Sequence, residues 1–166
     1  MKQCDGYTIR LATADDEVFL WEMLYQAIYI PAGKAKPNRS ILQEPAFAHY
    51  VDGWGHYRDD EGLIAVDQHK QAIGAVWMRL FGADDPGWGF VDADTPELSI
   101  AVLPAHRGQG LGTALLRGLI ERVRKDYAAL SLSVDPDNRA MKLYERLGFE
   151  VVGASGSSVT MRKKLS

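Results

Sequence analysis

The chain has 166 residues, of which 46% are hydrophobic and 25% charged. Those proportions suit a globular domain with its own core and exclude a largely disordered chain. A net charge of −3 has the wrong sign for a nucleic-acid partner, because phosphates are held by clustered Lys and Arg.

Met1 to Gly6 has no apolar run behind its charge, and no later segment is long enough to span a bilayer, so neither export nor membrane insertion is expected. Cys4 is the one cysteine, which rules out an intrachain disulfide and fits a reducing cytoplasm. Tyr7 to Leu11 predicts a first strand. Thr13 then stands where an N-cap belongs, ahead of Asp15, Asp16 and Glu17, in a helix running to about Tyr29 and ended by Pro31 and Gly33. A weaker helical stretch covers Ser40 to Tyr50. Gly62–Val66 and Gln71–Phe81 predict an antiparallel strand pair, and Gly82 to Pro96 a long Gly/Asp/Pro-rich loop. Glu97 to Leu103 returns to strand composition until Pro104 stops it.

After a glycine-rich turn, Leu111, Ala114, Leu115, Leu119 and Val123 recur at helical spacing on one face, with Lys125 near the helix end. Leu130–Val134 predicts another strand. Asp135-Pro136 has the form of a helix start, with Ala140, Leu143, Tyr144 and Leu147 on the apolar face and Gly148 as C-terminal cap. Two closing strands are expected at Phe149–Val152 and around Thr160–Lys164. With neither repeats nor a long linker, residues 1–166 are expected to form one domain. Consecutive strands occur without an intervening helix, so the α/β fold should carry a mixed sheet.

The chemistry concentrates in Leu103-Pro104-Ala105-His106-Arg107-Gly108-Gln109-Gly110-Leu111-Gly112-Thr113. A strand enters a turn with alternate glycines, and a helix starts inside it. Unpaired N–H groups at that helix start are anion ligands, and Arg107 adds permanent positive charge, which together suit a diphosphate. A P-loop is excluded because Gly112 is followed by Thr113 with no lysine. A dinucleotide fingerprint lacks its third glycine, since position 113 is threonine. The remaining alternatives are a structural turn without ligand and the spacing Arg/Gln-x-x-Gly-x-Gly/Ala, which Arg107, Gly110 and Gly112 match.

With that spacing the sequence resembles the GCN5-related N-acetyltransferase (GNAT) superfamily, and Asn138-x-x-Ala140-x-x-x-Tyr144-x-x-x-Gly148-Phe149 is similar to its second cofactor motif. The resemblance is close from Glu97 to Val152 and loose before it. It implies a mostly antiparallel sheet of about six or seven strands flanked by about four helices, with two parallel strands, Glu97–Leu103 and Leu130–Val134, splayed around a pantetheine arm. It further implies acetyl-coenzyme A as co-substrate, no metal, and direct attack of an amine on the thioester.

That reaction needs a base for the amine, a donor for the developing oxyanion and a proton for the leaving thiolate. By resemblance, Tyr144 supplies the last proton; as a plain helix residue it would be a core aromatic. Glu97 is the nominated base, against a merely solvated strand-end carboxylate or a water chain. The oxyanion donor is expected to be the Val102 N–H, with Ile100 and Ala101 lining the pantetheine. Arg107, Gly108, Gln109, Gly110, Leu111, Gly112 and Thr113 hold the phosphates. Asn138 bonds the cofactor's polar arm, with local capping as its other reading. His106 is read as a surface histidine.

For the acceptor, Asp84, Asp85, Asp92, Asp94 and Glu97 interleave with Trp88 and Phe90 ahead of the catalytic strand. They form either a lure for a cationic amine or a solvated acidic loop. Tyr25, Tyr29 and Trp54 are candidates for the same site or for the core. The expected partner is a small-molecule or peptide amine, with a homodimer possible and neither nucleic acid nor membrane involved. Two other classes fit parts of the pattern: a silent acyl-coenzyme A sensor, and an NAD-type nucleotide binder with no use for Asn138 or Tyr144.

Overall fold

The computed structural model describes residues 2–4 and 6–165; Met1, Asp5 and Ser166, and the part of the leader expectation that falls on them, lie outside the described residues. The elements follow in chain order. A hairpin of β1 (Lys2–Cys4) and β2 (Tyr7–Leu11) turns through Gly6. Thr13 forms a capping box with Asp16, Arg10 grips that carboxylate at 2.8 and 2.9 Å, and α1 runs Glu17–Ala27. This helix stops two residues short of Tyr29. Pro31 has no N–H to offer the Ala27 carbonyl, and Ile28 already has extended backbone angles.

The stretch expected as one helix from Ser40 to Tyr50 is instead a 3-10 turn, Arg39–Gln43, and a short α2, Pro45–Ala48. Pro45 divides them, for the same reason. Strands β3 (Glu61–Asp67), β4 (Ala72–Arg79) and β5 (Glu97–Val102) follow, then α3 (Leu111–Val123), β6 (Ala129–Val134), α4 (Ala140–Arg146), β7 (Glu150–Ser155) and β8 (Ser158–Lys164).

One eight-stranded sheet results, in the order β1-β2-β3-β4-β5-β6-β8-β7. The strand beyond the expected seven is β1. All pairs are antiparallel except β5 and β6, which meet at a single rung, Glu97 with Ser131, where the Ser131 N–H reaches the Pro96 carbonyl at 3.0 Å. Beyond that rung the two strands diverge, as the resemblance implied. Alternation along the strands divides the core. Leu63, Val76, Leu98, Leu130 and Met161 pack under α3, while Ile64, Ala75, Trp77 and Ala101 pack under α1 and the Tyr50–Trp54 turn.

Two further helix boundaries differ from the sequence reading. Helix α3 ends at Val123, so Arg122 and not Lys125 occupies its last turn. Helix α4 begins at Ala140 and not after Asp135, because the Asp135 carboxylate accepts from the Asp137 N–H at 2.9 Å in a local turn. Asn138 is the residue that caps, its Oδ1 accepting from the Ala140 N–H at 2.9 Å.

Candidate active site

The turn after β5 is built as an anion cradle. Gly108 and Gly110 have φ of 77° and 83°, a region L side chains avoid, and a Cβ at either would meet nothing within 4 Å. The backbone there faces open space. Ala114 makes the first helical bond, to Gly110 O at 3.1 Å, so the N–H groups of Leu111, Gly112 and Thr113 precede the first N–H donor of the α3 ladder and point out of its positive end. Arg107 is exposed beside them, its Nε donating to the Val102 carbonyl at 3.0 Å. Gln109 does not wall the cleft: between two left-handed glycines it falls on the far side of the turn, by a small hollow with Tyr7, Asp67 and His69. His106 is partly buried between the two spaces.

From this cradle a cleft of about 1480 Å³ runs into the gap between β5 and β6. The Leu103 N–H bonds Ile73 O on β4 at 2.9 Å; alternation along an antiparallel strand therefore turns the amides of Ile100 and Val102 away from β4 and toward the gap. Ala101 lines the cleft too, while its side chain turns to the α1 core and its amide to β4.

Tyr144 enters the cleft from the α3 side of the sheet. Its position is fixed by the end of α4. The Gly148 N–H bonds Glu145 O and the Phe149 N–H bonds Tyr144 O, each at 3.0 Å, and the Phe149 ring lies 6.1 Å from the Tyr144 ring. Packing and cleft placement coincide in this residue, which is 8% exposed. Burial pushes its phenol up to about 12, so it stays protonated across the physiological range. Asn138 walls the same part of the cleft while serving as the cap.

Glu97 enters from the opposite, α1 side and is 3% exposed, not solvated. Its Oε2 accepts from the Tyr50 hydroxyl at 2.6 Å, and that oxygen in turn accepts from the Trp88 N–H at 2.8 Å. Oε1 is buried without a partner. Gly87 leaves the room: a Cβ there would lie 2.2 Å from Oε1. Burial raises the Glu97 carboxyl to about 7, although the Tyr50 hydroxyl and the Gly89 backbone N–H pull the other way; burial and the adjacent carboxylate hold the Tyr50 phenol far above its usual value. A carboxyl poised near neutrality is suited to accept a proton. Tyr50 was not singled out by sequence reasoning, and the composition around it carries no local signal for this role.

The acidic loop is not gathered at the cleft. Asp85 meets His49 at 3.0 Å, and Asp92 accepts from the Asp94 N–H at 2.9 Å and Thr95 Oγ1 at 2.8 Å; of the loop and strand residues named as a lure, Trp88 and Glu97 wall the cleft and Phe90 does not. Trp54 is 1% exposed and donates to Met78 O at 3.1 Å, a core role. Tyr25 and Tyr29 do wall the cleft, with the Tyr29 hydroxyl reaching Asp137 O at 3.3 Å across it. Among the described residues no helix is long and apolar enough to cross a membrane, and no group of three His, Cys, Asp or Glu side chains is arranged to hold a metal ion.

Residues 21–149 match the family model described as acetyltransferase (GNAT) family. Over 149 residues the chain is 29% identical to an uncharacterized N-acetyltransferase of Methanocaldococcus jannaschii, covering 87% of this chain and 61% of that protein. It is 28% identical over 158 residues to an aminoglycoside N(6')-acetyltransferase type 1 of Klebsiella pneumoniae, covering 90% of this chain and 76% of that one. Among solved structures, the ribosomal-protein-S18-alanine N-acetyltransferase of Escherichia coli superposes with TM-score 0.65 at 21% identity, covering 96% of this chain and 94% of that one. A phosphinothricin acetyltransferase of Sinorhizobium meliloti in complex with AcCoA gives 0.66 at 19% identity, over 98% and 90%. These likenesses show that the fold is shared.

Proposed function

The chain belongs to the acetyltransferase (GNAT) family, and from that premise we propose that it is a single-domain enzyme moving an acetyl group from acetyl-coenzyme A to a primary amine in the β5–β6 cleft. The observation that carries this reading is that two buried proton-handling groups, Glu97 and Tyr144, approach one gap from opposite faces of the sheet. Acetyl-coenzyme A supplies the thioester carbon that an amine attacks. The fit is physical: open backbone at Gly108 and Gly110 and the amides of Leu111, Gly112 and Thr113 suit a diphosphate, with Arg107 beside them. The gap lined by Ile100 and Val102 suits an extended arm.

Glu97 takes the proton of the entering ammonium. The gap-facing amide of Val102 donates to the carbonyl oxygen as negative charge grows on it, and Tyr144 delivers a proton to the departing sulfur. Amine and thiolate are thereby served from opposite faces without competing for one residue.

At the acceptor end Leu24, Tyr25, Phe47, Tyr50 and Trp88 line the cleft with Glu97. Such a wall favours an amine on an apolar body over a polycation, since none of the loop aspartates lines the cleft. The acceptor is a small molecule or a peptide end, and the enzyme works in the cytoplasm. Thiol release from acetyl-coenzyme A, followed against a panel of arylalkyl, aliphatic and polycationic amines with mass detection of the product, tests the reading. Acetylated amine with a preference for apolar bodies supports it; hydrolysis alone, or no turnover with any amine, overturns it.

A further inference from the structure

Two buried side-chain oxygens or nitrogens among the described residues have no hydrogen-bond partner: Oε1 of Glu97 and Oγ of Ser131. They belong to the two residues of the single rung that joins β5 to β6. Register partners on adjacent strands point to the same face with Cβ atoms roughly 5 Å apart. Ser131 is 0% exposed and alternates with Leu130 and Leu132, which serve the α3 core, so its hydroxyl lies on the Glu97 side.

Resting on the reading of Glu97 as base, we infer that Ser131 is a positioning residue whose hydroxyl holds Oε1 of Glu97 from the neighbouring strand, directly after rotation about its χ1 or through one water molecule. Tyr50 spends its single proton on Oε2 and accepts from the Trp88 N–H. A proton arriving from the amine therefore goes to Oε1, the oxygen that Tyr50 leaves free. The carboxylate becomes a carboxyl and the ammonium a neutral amine, so charge and proton balance. A hydroxyl serves both states, donating to the ionised carboxylate and accepting from the protonated one. Alanine can do neither.

The Gly89 backbone N–H also favours the ionised Glu97 carboxylate but makes no hydrogen bond to Oε1, and the charged and titratable groups on this face are engaged elsewhere. Arg79, the register partner of Glu97 on β4, is held by Asp60 at 3.2 Å and by the His49 and Asp52 carbonyls. His49 is engaged by Asp85, and its ring packs on Tyr50 at 4.8 Å. Arg162, the register partner of Ser131 on β8, lies one strand further out.

The test compares wild type with Ser131→Ala, Ser131→Thr, Ser131→Cys and Glu97→Gln in two readouts: the pH profile of kcat/KM, and the titration of Glu97 followed by its 13Cδ resonance. Losing the donor disfavours the ionised form. Ser131→Ala is expected to move the acidic limb and the resonance midpoint upward together by about half a unit to one unit, a roughly 3- to 10-fold loss on the acid side. Threonine restores both. If alanine compromises folding, Ser131→Cys keeps the volume with a weak donor and moves the midpoint the same way. An unmoved midpoint in folded Ser131→Ala, especially with a higher Tm, overturns the inference and leaves a mere orphan hydroxyl. A moved midpoint together with wild-type turnover in Glu97→Gln keeps Ser131 in its place and overturns the base reading instead.

Discussion

Tyr50 and Glu97 are 47 positions apart in the chain, and their side-chain oxygens meet at 2.6 Å in the floor of the cleft. The phenol stabilises the ionised carboxylate, opposing the burial that raises it to about 7. Tyr50→Phe removes that donor, so the carboxyl should rise further. The acidic limb of kcat/KM then moves to higher pH, with roughly 10-fold loss near pH 6.5 and much less at pH 9. A pH–rate profile checks this.

Glu97 itself should weaken the fold above neutrality. Its folded value, about 7, lies above the ordinary 4.5, so between these values the folded chain keeps a proton that the unfolded chain has released. The stability tied to the protonated form is complete below about 4.5 and lost as pH rises through about 7. Glu97→Gln, which can still accept from Tyr50, should match wild type in Tm near pH 4.5 and exceed it by roughly 5–10 °C at pH 8. Its turnover should fall by about 10²-fold or more. Thermal unfolding at the two pH values decides it.

Tyr144→Phe should fold normally, because among the described residues no hydrogen bond from its hydroxyl supports the core; what secures it is the ring contact with Phe149. A kcat lower by about 10²-fold, with acetyl-coenzyme A affinity within a few-fold of wild type, is the expected outcome of losing a proton donor. Because burial holds the phenol at about 12, wild type should show no alkaline decline from this group below about pH 10. Steady-state kinetics beside calorimetric binding separates the two effects.

The glycine turn and the helix after it were legible in the sequence because local rules govern them. The spacing Arg107, Gly110, Gly112 is tied to left-handed backbone and a helix start, and the apolar period of α3 runs from Leu111 to Val123 as the pattern indicates. The surroundings of Glu97 were not. Tyr50 gains its role from a contact across 47 residues, and no local pattern encodes which partner a buried phenol will find. Strand β1 escaped notice because three residues, Lys2–Cys4, carry no apolar alternation and form by pairing with β2. Asp135-Pro136 has the form of a helix start, yet the side-chain bond to Asp137 closes a turn there and leaves capping to Asn138. Gln109 followed its motif neighbours in sequence, but the glycines on either side turned it away.

The account stands on the cleft being an acetyl-coenzyme A site, and calorimetric titration tests that most directly. Wild type is compared with an Arg107→Ala, Gly110→Asp double variant. Aspartate tolerates left-handed φ better than most residues, so the variant places negative charge in the anion cradle at small conformational cost. Micromolar binding by wild type that is lost in a variant with unchanged circular dichroism is the predicted result. No binding by wild type, or equal binding by both, would contradict the account.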